Sequence, residues 1–379
     1  MSEVNYEEVD LSTYSVEELR EKLEEEKIRM SIANTDQLNR KILINSLYGA
    51  LGSEYFRFYS VDNAEAVTSF GQLAIKWVES AMNVYLNKVN KTENVDYICY
   101  IDTDSIYVDF DKFMSIANVK TQHEGEKLVD YMSMLCQKVT ESVINTCYKK
   151  LQVYMNNVDN NMNMDREVIS IDGGFFTAKK RYALSVNDNE GVRYEVPKLK
   201  LIGIETQRSS TPKAVTTALT DSISAIIMKG ESDLQNVVSK FEDGFSELDI
   251  SMICGTSTAN NIFVHGDEDI KPKRGCPGHI KGALAYNRYI KNKNLSVEPI
   301  NDGEKINIVT LKIPNPYGEK VFAWPAGSEI DLSFGDVTEY IDYNVLFQDK
   351  FMKPLNGICD SLSNMSPIKK RTLSSFFGT

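Results

Sequence analysis

The sequence lacks the features by which membrane, secreted and zinc-binding proteins are identified. No run of 18 apolar residues occurs, so no segment is expected to cross a bilayer. The acidic start, MSEVNYEEVD, is unlike a secretory signal. The six cysteines are scattered without a CxxC pair, which fits neither a zinc site nor a disulfide framework and indicates a reducing cytoplasm. Because the three histidines are far apart, we expect any catalytic metal to have oxygen ligands.

The net charge of −12 is distributed unevenly along the chain. Residues 1–26 contain ten acidic residues against Arg20 and Lys22, which leaves a net charge of only −4 for the remaining 353 residues. The basic residues of this remainder occur in clusters, and local clusters can neutralise phosphates. The overall acidity therefore does not exclude a nucleic acid as partner.

Helical and β-rich segments alternate along the chain, which indicates an α+β fold. Ser15 and Glu18 predict a capping box, followed by a helix that runs toward Leu47 and is ended or bent by Gly49 and Gly52. The other predicted helices cover residues 63–86, 124–151 and 212–228. The predicted strands cover residues 97–100, 106–110, 167–171, 175–178, 181–186 and 198–204.

The stretch YIDTDS at residues 100–105 lies between two β-rich runs and predicts a hairpin with acidic residues at its turn. Since side chains two apart on an extended backbone point the same way, we expect Asp102 and Asp104 to present two carboxylates to one point. Magnesium prefers carboxylate oxygens and substrate phosphates, and a pair of such ions suits phosphoryl transfer. An ordinary polar turn explains the same residues equally well.

Lys41, Asn45 and Tyr48 are spaced to share one face of the first predicted helix. An ammonium, an amide and a phenol in one stripe could bind a triphosphate and a base, and a solvated polar face is the alternative. Asn45 and Gly49 are poor choices inside a helix. We therefore expect the backbone near Gly49 to approach another group closely.

Two motifs together resemble those of family-B DNA polymerases. NRKILINSLYG at residues 39–49 resembles the family motif KxxxNSxYG, and YIDTDS resembles YxDTDS, in the family's order and at a comparable separation. NRKILINSLYGALG is most similar to the polymerases of T-even-type bacteriophages. The resemblance continues through MDREVIS, AKKRYAL, ETQRSSTPKAV and FAWPAG, so it covers nearly the whole chain after about residue 15.

The resemblance implies roles for the residues of both motifs. Asp102 and Asp104 would be catalytic palm carboxylates that bind two Mg²⁺ ions, with Asp104 the firmer direct ligand. Lys41 would be a catalytic residue that contacts the triphosphate of the incoming dNTP. Asn45 and Tyr48 would line the pocket for the nascent base pair.

Further roles are implied for residues outside the two motifs. Glu167 would be an auxiliary carboxylate near the metals, and a plain strand-edge acid is the alternative. The run Lys179, Lys180, Arg181 and Tyr182 resembles the KKRY element that grips primer–template DNA, although a short basic run is usually a solvated edge. Additional phosphate contacts are expected from Arg208, Ser209, Ser210, Thr211, Lys213, Lys281 and Arg288.

The end of the chain resembles a sliding-clamp-binding tail. Leu373, Phe376 and Phe377 would be costly to leave in water, and insertion into a pocket of the clamp would remove that cost. Lys370 stands where many cellular clamp motifs have glutamine. Packing of this segment on the chain's own thumb is the alternative.

The implied architecture is a right hand with three parts. Residues 1–52 would form an acidic lead-in and the second fingers helix, residues 53–206 the palm with an antiparallel sheet, and residues 207–379 a mostly helical thumb. The first palm aspartate, in a DxxSLYPS-like context, the first fingers helix and a 3′–5′ exonuclease have no counterpart in this sequence. We expect an amino-terminal polymerase fragment, a second polypeptide, to supply them, with the break at the exposed fingers tip.

The expected function is template-directed DNA synthesis in the host bacterial cytoplasm during phage infection, active only with the amino-terminal fragment. One alternative is a non-catalytic DNA- and clamp-binding subunit descended from a polymerase, but the intact motifs argue against it. Another is an unrelated magnesium-dependent nuclease or nucleotidyltransferase. That alternative does not explain why the helix face at residues 41–48 and the KKRY run occur in the same chain.

Overall fold

The computed structural model describes residues 14–111, 125–171, 173–361 and 365–368. The chain folds as two compact units, one made of residues 1–117 and 142–164 and the other of residues 118–141 and 165–379. The three-part division at residues 52 and 206 does not coincide with these units and stays a prediction. The proposed clamp-binding residues Leu373, Phe376 and Phe377 lie outside the described residues.

The first unit consists of helices and one hairpin. Its elements are α1 (Val16–Leu51), α2 (Val61–Asn90), β1 (Ile98–Asp102) and β2 (Ser105–Val108). Three consecutive helical elements follow, namely α3 (Glu126–Leu135), a π-helical turn (Cys136–Thr140) and α4 (Glu141–Tyr154). Of these, α4 belongs to the first unit and α3 to the second. The predicted capping box is confirmed, since Ser15 accepts from the Glu18 amide and the Glu18 carboxylate accepts from the Ser15 amide.

The core of the first unit is built from repeating apolar positions on α2 and α4. Ala74, Val78, Met82 and Leu86 recur every four residues and are buried along one face of α2. The two helices are also joined by a ring contact between Trp77 and Tyr154, with centroids 5.0 Å apart. The buried positions of α4 are Ile144, Cys147, Tyr148 and Leu151.

Side chains of α2 hold the loop that leads into the hairpin. The Asn83 side-chain oxygen accepts from the backbone amide of Tyr97 at 2.8 Å. The Asn87 side chain donates to the carbonyl of Val95 at 2.7 Å and accepts from the amide of the same residue at 3.0 Å. The Tyr97 ring is fully buried, and its hydroxyl accepts from the Asn90 amide group at 2.9 Å. These contacts fix the start of β1 on α2.

The second unit contains two antiparallel sheets and most of the remaining helices. Its strands are β3 (Val168–Ile169), β4 (Gly174–Ala178), β5 (Arg181–Asn189), β6 (Val192–Ile202), β7 (Gly255–Ala259), β8 (Glu304–Thr310) and β9 (Val321–Pro325). Besides α3, its helices are α5 (Lys213–Met228), α6 (Glu231–Phe245), α7 (Ile250–Ile253), α8 (Ile262–His265), α9 (Gly278–Lys293), α10 (Tyr343–Phe347) and α11 (Lys353–Ser361). The antiparallel sheets among helices confirm the predicted α+β fold.

Strand β5 is the centre of the first sheet. It pairs with β6 along one edge and with both β3 and β4 along the other. Residues 182–186 are all buried, so both faces of this strand are covered. The two neighbouring hairpin turns, at residues 179–180 and 190–191, are therefore set by the register of one strand.

A buried carboxylate ties this sheet to α3. Asp188 is 1% exposed, and its two oxygens contact the guanidinium of Arg166, the amide of Gly191 at 2.9 Å and Nε of Arg193 at 2.8 Å. The same Arg193 contacts Asp130 on α3 at 2.8 Å. A buried charge is tolerated only when it is paired and hydrogen-bonded, so these contacts hold α3 against the β5–β6 hairpin.

The three-stranded sheet β7–β8–β9 lies in the part of the chain for which a mostly helical thumb was expected. The sequence analysis did not identify it, because its strands are short and β7 is the polar run GTSTA. Aromatic residues surround it, including Tyr286 of α9, which stacks on Phe334 with centroids 4.6 Å apart. Across the described ranges, no helix has the length and apolar character needed to cross a membrane.

Replacing Asn87 by alanine should destabilise the first unit by about 2–3 kcal/mol, because several hydrogen bonds to residues 92–95 are lost. Lys88→Ala, at the exposed neighbouring position, should change the free energy of unfolding by less than about 0.5 kcal/mol. Urea unfolding of both variants measures the difference. Equal stability of the two variants would show that α2 does not hold the loop.

Candidate active site and nucleic-acid interface

The acidic residues lie at a two-residue turn between β1 and β2. Asp102 pairs with Ser105, and Thr103 and Asp104 form the turn, with Thr103 in the left-handed region at φ 55°. The Asp104 amide contacts the Asp102 carbonyl at 2.6 Å, and the Thr103 hydroxyl donates to the Asp102 carboxylate at 3.0 Å. The hairpin is as predicted. The two aspartates were expected to converge because they lie two apart on an extended backbone. That reason is wrong, because the turn interrupts the extended backbone between them.

The negative charge of Asp104 affects the pKa of a buried tyrosine on α4. Burial raises the pKa of Tyr148, and the charges of Cys147 and Asp104 raise it further. Tyr148 is only 3% exposed, so its phenol is shielded from solvent. The sequence analysis missed this residue, because nothing in the local pattern of α4 relates it to a turn more than 40 residues earlier.

The second motif lies on α1, and Lys41, Asn45 and Tyr48 are all exposed there. Gly49 is inside the helix, which ends at Leu51 and is capped by Gly52. Within the described residues no group approaches Gly49, since a Cβ at this position would meet nothing within 4 Å, and the expected close backbone approach stays a prediction. The face is therefore open to a ligand or to another polypeptide.

Glu167 lies directly before β3 in the second unit. Its carboxylate contacts Nζ of Lys200 at 2.6 Å, and its carbonyl accepts from the Glu190 amide at 2.7 Å. About half of the side chain is exposed. This ion pair accounts for the residue as a strand-edge acid, and a role as metal ligand stays a prediction.

The basic run lies at the β4–β5 turn of the second unit. Lys179 and Lys180 form the turn and are exposed, whereas Tyr182 is 5% exposed and lies in the core of the sheet. Nη2 of Arg181 contacts both oxygens of Glu205, at 2.8 and 2.7 Å. Lys179 and Lys180 thus place two further cations at an exposed turn.

A cavity of about 440 Å³ lies beside this turn in the second unit. Arg181, Arg208, Lys350 and Lys353 line it, together with Glu205 and Asp349. Ser209 and Lys213 are exposed next to it in sequence, so the predicted phosphate-contacting segment is on the surface. Lys350 and Lys353 were not identified from sequence, since they come from a helical segment some 140 residues further along the chain.

The two remaining predicted DNA contacts differ in their environment. Lys281 is half-buried on α9. Arg288 donates to the carbonyls of Ile270 and Tyr317, at 3.3 and 3.1 Å, and lies 3.7 Å from the Glu319 carboxylate. These contacts explain Arg288 as a residue that joins α9 to two neighbouring loops, and its contact with DNA stays a prediction.

The acidic turn offers oxygen ligands of the kind that Mg²⁺ prefers. Within the described ranges, no group of three or more His, Cys, Asp or Glu side chains is arranged around a metal-sized space. Magnesium usually takes one or two carboxylates and completes its shell with water and substrate phosphates. Two carboxylates at an exposed turn therefore fit a magnesium site that depends on further ligands.

The family model for DNA polymerase family B matches residues 16–266. The chain belongs to DNA polymerase family B. It is 44% identical over 377 residues to a DNA-directed DNA polymerase of Enterobacteria phage T4, covering 97% of this chain and 42% of the relative. Identity to a DNA-directed DNA polymerase of Escherichia phage RB69 is 42% over 351 residues, covering 90% of this chain and 38% of that relative. These matches confirm the resemblance to T-even-type phage polymerases.

A cellular relative within family B is more distant. A DNA polymerase delta catalytic subunit of Drosophila melanogaster is 24% identical over 123 residues, which cover 31% of this chain and 11% of the relative. The chain spans about two fifths of the length of the two phage relatives. The family B match includes both motifs and the basic turn, while Lys281, Arg288, Lys350 and Lys353 lie beyond it.

The electrostatic contact at the acidic turn gives a prediction for Tyr148. Asp104→Asn should lower the pKa of the Tyr148 phenol, because a neighbouring negative charge disfavours the phenolate. Tyrosine ¹³Cζ resonances followed through an alkaline titration measure this pKa, with the Tyr148→Phe chain for assignment. Asp62→Asn, at the start of α2, should leave the titration unchanged. An unshifted Tyr148 in Asp104→Asn would place the turn away from α4.

Proposed function

We propose that this chain is the carboxy-terminal polypeptide of a template-directed DNA polymerase. The observation that carries the proposal is the pair of aspartates at the β1–β2 turn, in the same unit as an exposed helix face carrying Lys41, Asn45 and Tyr48. The T-even phage relatives that share these motifs bear the name DNA-directed DNA polymerase. The site acts on a dNTP and a primer–template in the cytoplasm of the host bacterium.

In the proposed reaction the primer 3′-hydroxyl gives up its proton to water, and its oxygen forms a bond to the α-phosphorus of the dNTP. The bond to the bridging oxygen breaks, and pyrophosphate leaves with the electron pair. Asp102 and Asp104 would hold two Mg²⁺ ions, which would lower the pKa of the primer hydroxyl and neutralise charge at the phosphates. Lys41 binds the triphosphate as a cation, and Asn45 and Tyr48 position the nascent base pair.

The basic turn and the neighbouring cavity support a grip on duplex DNA. Lys179 and Lys180 are exposed cations, and Arg208 lines the cavity next to Arg181. Contacts with phosphates hold the register of a duplex without reading its sequence, which is what a polymerase requires. A sliding clamp that binds Leu373, Phe376 and Phe377 would keep the complex on DNA.

The proposal includes a second polypeptide that supplies the amino-terminal part of the polymerase. The sequence contains no counterpart of the first palm aspartate. Helix α1 supports a partner, because none of its 36 residues is buried within the described chain. Its exposed apolar side chains include Ile28, Ile32, Leu38, Ile42, Leu43, Ile44 and Leu47. Covering them would stabilise a complex through removal of apolar surface from water.

Asp104→Asn should lower primer extension by the two-chain complex by about 10³-fold or more, since lost transition-state stabilisation of this kind has such an effect. Primer–template binding should remain within about threefold of wild type, because the variant removes no cation that contacts phosphate. Single-turnover extension and fluorescence anisotropy measure the two quantities.

Asp243→Asn is the matched control, at an exposed position on α6. It should leave both extension and binding unchanged. Full extension by Asp104→Asn would overturn the proposed chemistry. If the wild-type complex binds DNA but incorporates no nucleotide, the chain is a DNA- and clamp-binding subunit instead.

The 379-residue chain by itself should extend a labelled primer negligibly, and mixing it with the amino-terminal polypeptide should restore synthesis. The physical reason is that two aspartates without the third carboxylate leave the magnesium site incomplete. A gel assay over a range of mixing ratios should show activity that saturates at one chain to one. Robust extension by the chain alone would rule out the two-polypeptide site.

A further inference from the structure

A short loop in the second unit carries the cation Arg208. The loop covers residues 205–211, between β6 and α5, and Arg208 is exposed on it. The two ends of the loop are tied together, because the Thr211 hydroxyl donates to the Glu205 carbonyl at 2.7 Å. The Arg208 backbone is held within the loop, since its amide donates to Glu205 at 3.1 Å and its carbonyl accepts from the Thr211 amide at 3.0 Å. Whatever holds this loop in place therefore decides where Arg208 lies.

Strand β7 holds the 205–211 loop from outside. The Thr256 hydroxyl donates to the Ser209 carbonyl, and this bond joins residues that are 47 apart in sequence. One residue earlier, a Cβ built on Gly255 would lie 3.0 Å from the Ser210 carbonyl oxygen, so the backbone of the loop lies directly against the start of the strand. Because that oxygen belongs to the backbone, a larger residue at position 255 would have to displace the loop itself.

The position of β7 is fixed in turn by its neighbours in the three-stranded sheet. Gly255 pairs with Ile308 and Thr256 pairs with Asn307 of β8, and β8 pairs with β9 along its other edge. β7 is an edge strand of this sheet, and its first residue is buried. The sheet thus provides a fixed base for the exposed segment that carries Arg208.

We propose that Gly255 and Thr256 of β7 are positioning residues that place Arg208 against a phosphate of the DNA backbone. Neither residue contacts DNA itself. Thr256 holds the loop by its hydroxyl, and Gly255 leaves room for the backbone of the loop. The inference rests on the proposed function, in which the segment around Arg208 binds primer–template DNA. It gives the β7–β8–β9 sheet a part in that binding.

The salt dependence of DNA binding tests this role, since each phosphate contact contributes about −0.9 to the slope of log K against log salt concentration. Thr256→Val should make the slope shallower by about 1, because the loop loses its bond to β7 and Arg208 loses its phosphate. Thr256→Ser keeps a hydroxyl and should retain the wild-type slope. Fluorescence anisotropy of the full chain with a labelled primer–template gives the slopes.

Thr258→Val is the matched control for the valine substitution. Thr258 lies two residues further along β7, on the same side of the strand, and none of its described contacts reaches the 205–211 loop. This variant should retain the wild-type slope. If Thr256→Val lowers the free energy of unfolding in urea but keeps the wild-type slope, Thr256 only stabilises the fold and the proposal is overturned.

Gly255→Ala tests the same contact without removing a hydroxyl. The added Cβ would push against the Ser210 carbonyl and should also make the slope shallower by about 1. Gly244→Ala on α6 is its matched control, because a Cβ there would meet nothing within 4 Å in the described part of the chain. The control should leave the slope unchanged. If Thr256→Val does not fold, Gly255→Ala decides, and a wild-type slope overturns the proposal.

Arg208→Gln separates failure of this inference from failure of the proposed function. It should make the slope shallower by about 1, and addition of Thr256→Val should change the slope no further, because both substitutions remove the same contact. A double variant that shows the sum of both changes would overturn the positioning role alone. If Arg208→Gln retains the wild-type slope, Arg208 does not bind phosphate, and its place in the proposed function is overturned as well.

Discussion

Strand β5 determines the geometry of the basic surface in the second unit. Its backbone hydrogen bonds set its register against β3, β4 and β6 together, so a shift of β5 by one residue would reverse its side chains relative to all three neighbours. Glu167 precedes β3, and Lys179 and Lys180 precede β5 itself. Burial of residues 182–186 on both faces makes such a shift costly. Apolar packing thereby fixes the places of the charged groups at the ends of these strands.

The charged contacts in this sheet differ in what they do. Asp188 is buried and bound by two arginines, and removal of one partner from such a group commonly costs about 3–5 kcal/mol. The Lys200–Glu167 pair is partly exposed, and pairs of this kind contribute about 1 kcal/mol or less. The first contact therefore maintains the fold, whereas the second can be exchanged for other partners at small cost. Residues suited to bind substrates make partly exposed contacts, which can be exchanged in this way.

The sequence predicted the local structure well and the long-range contacts poorly. The capping box at Ser15, the hairpin around residues 102–105 and the strands of the first sheet followed from neighbouring residues, as did the family. The proximity of Tyr148 to Asp104 did not, because it depends on how α4 packs. The β7–β9 sheet was missed because pairing between distant segments stabilises strands of weak intrinsic preference. The Arg181–Glu205 pair likewise spans 24 residues and leaves no periodic signal.

Helix α1 differs from every other long element in how it is stabilised. It has a capping box and short-range ion pairs such as Lys27 with Glu24, but no buried side chain in the described chain. Helices that depend on such local terms are marginal in water, so α1 can unwind without opening either core. Its peptide bonds would then be the first to exchange amide hydrogens and to admit a protease. Any contact that covers this helix would lengthen the lifetime of the chain in a cell.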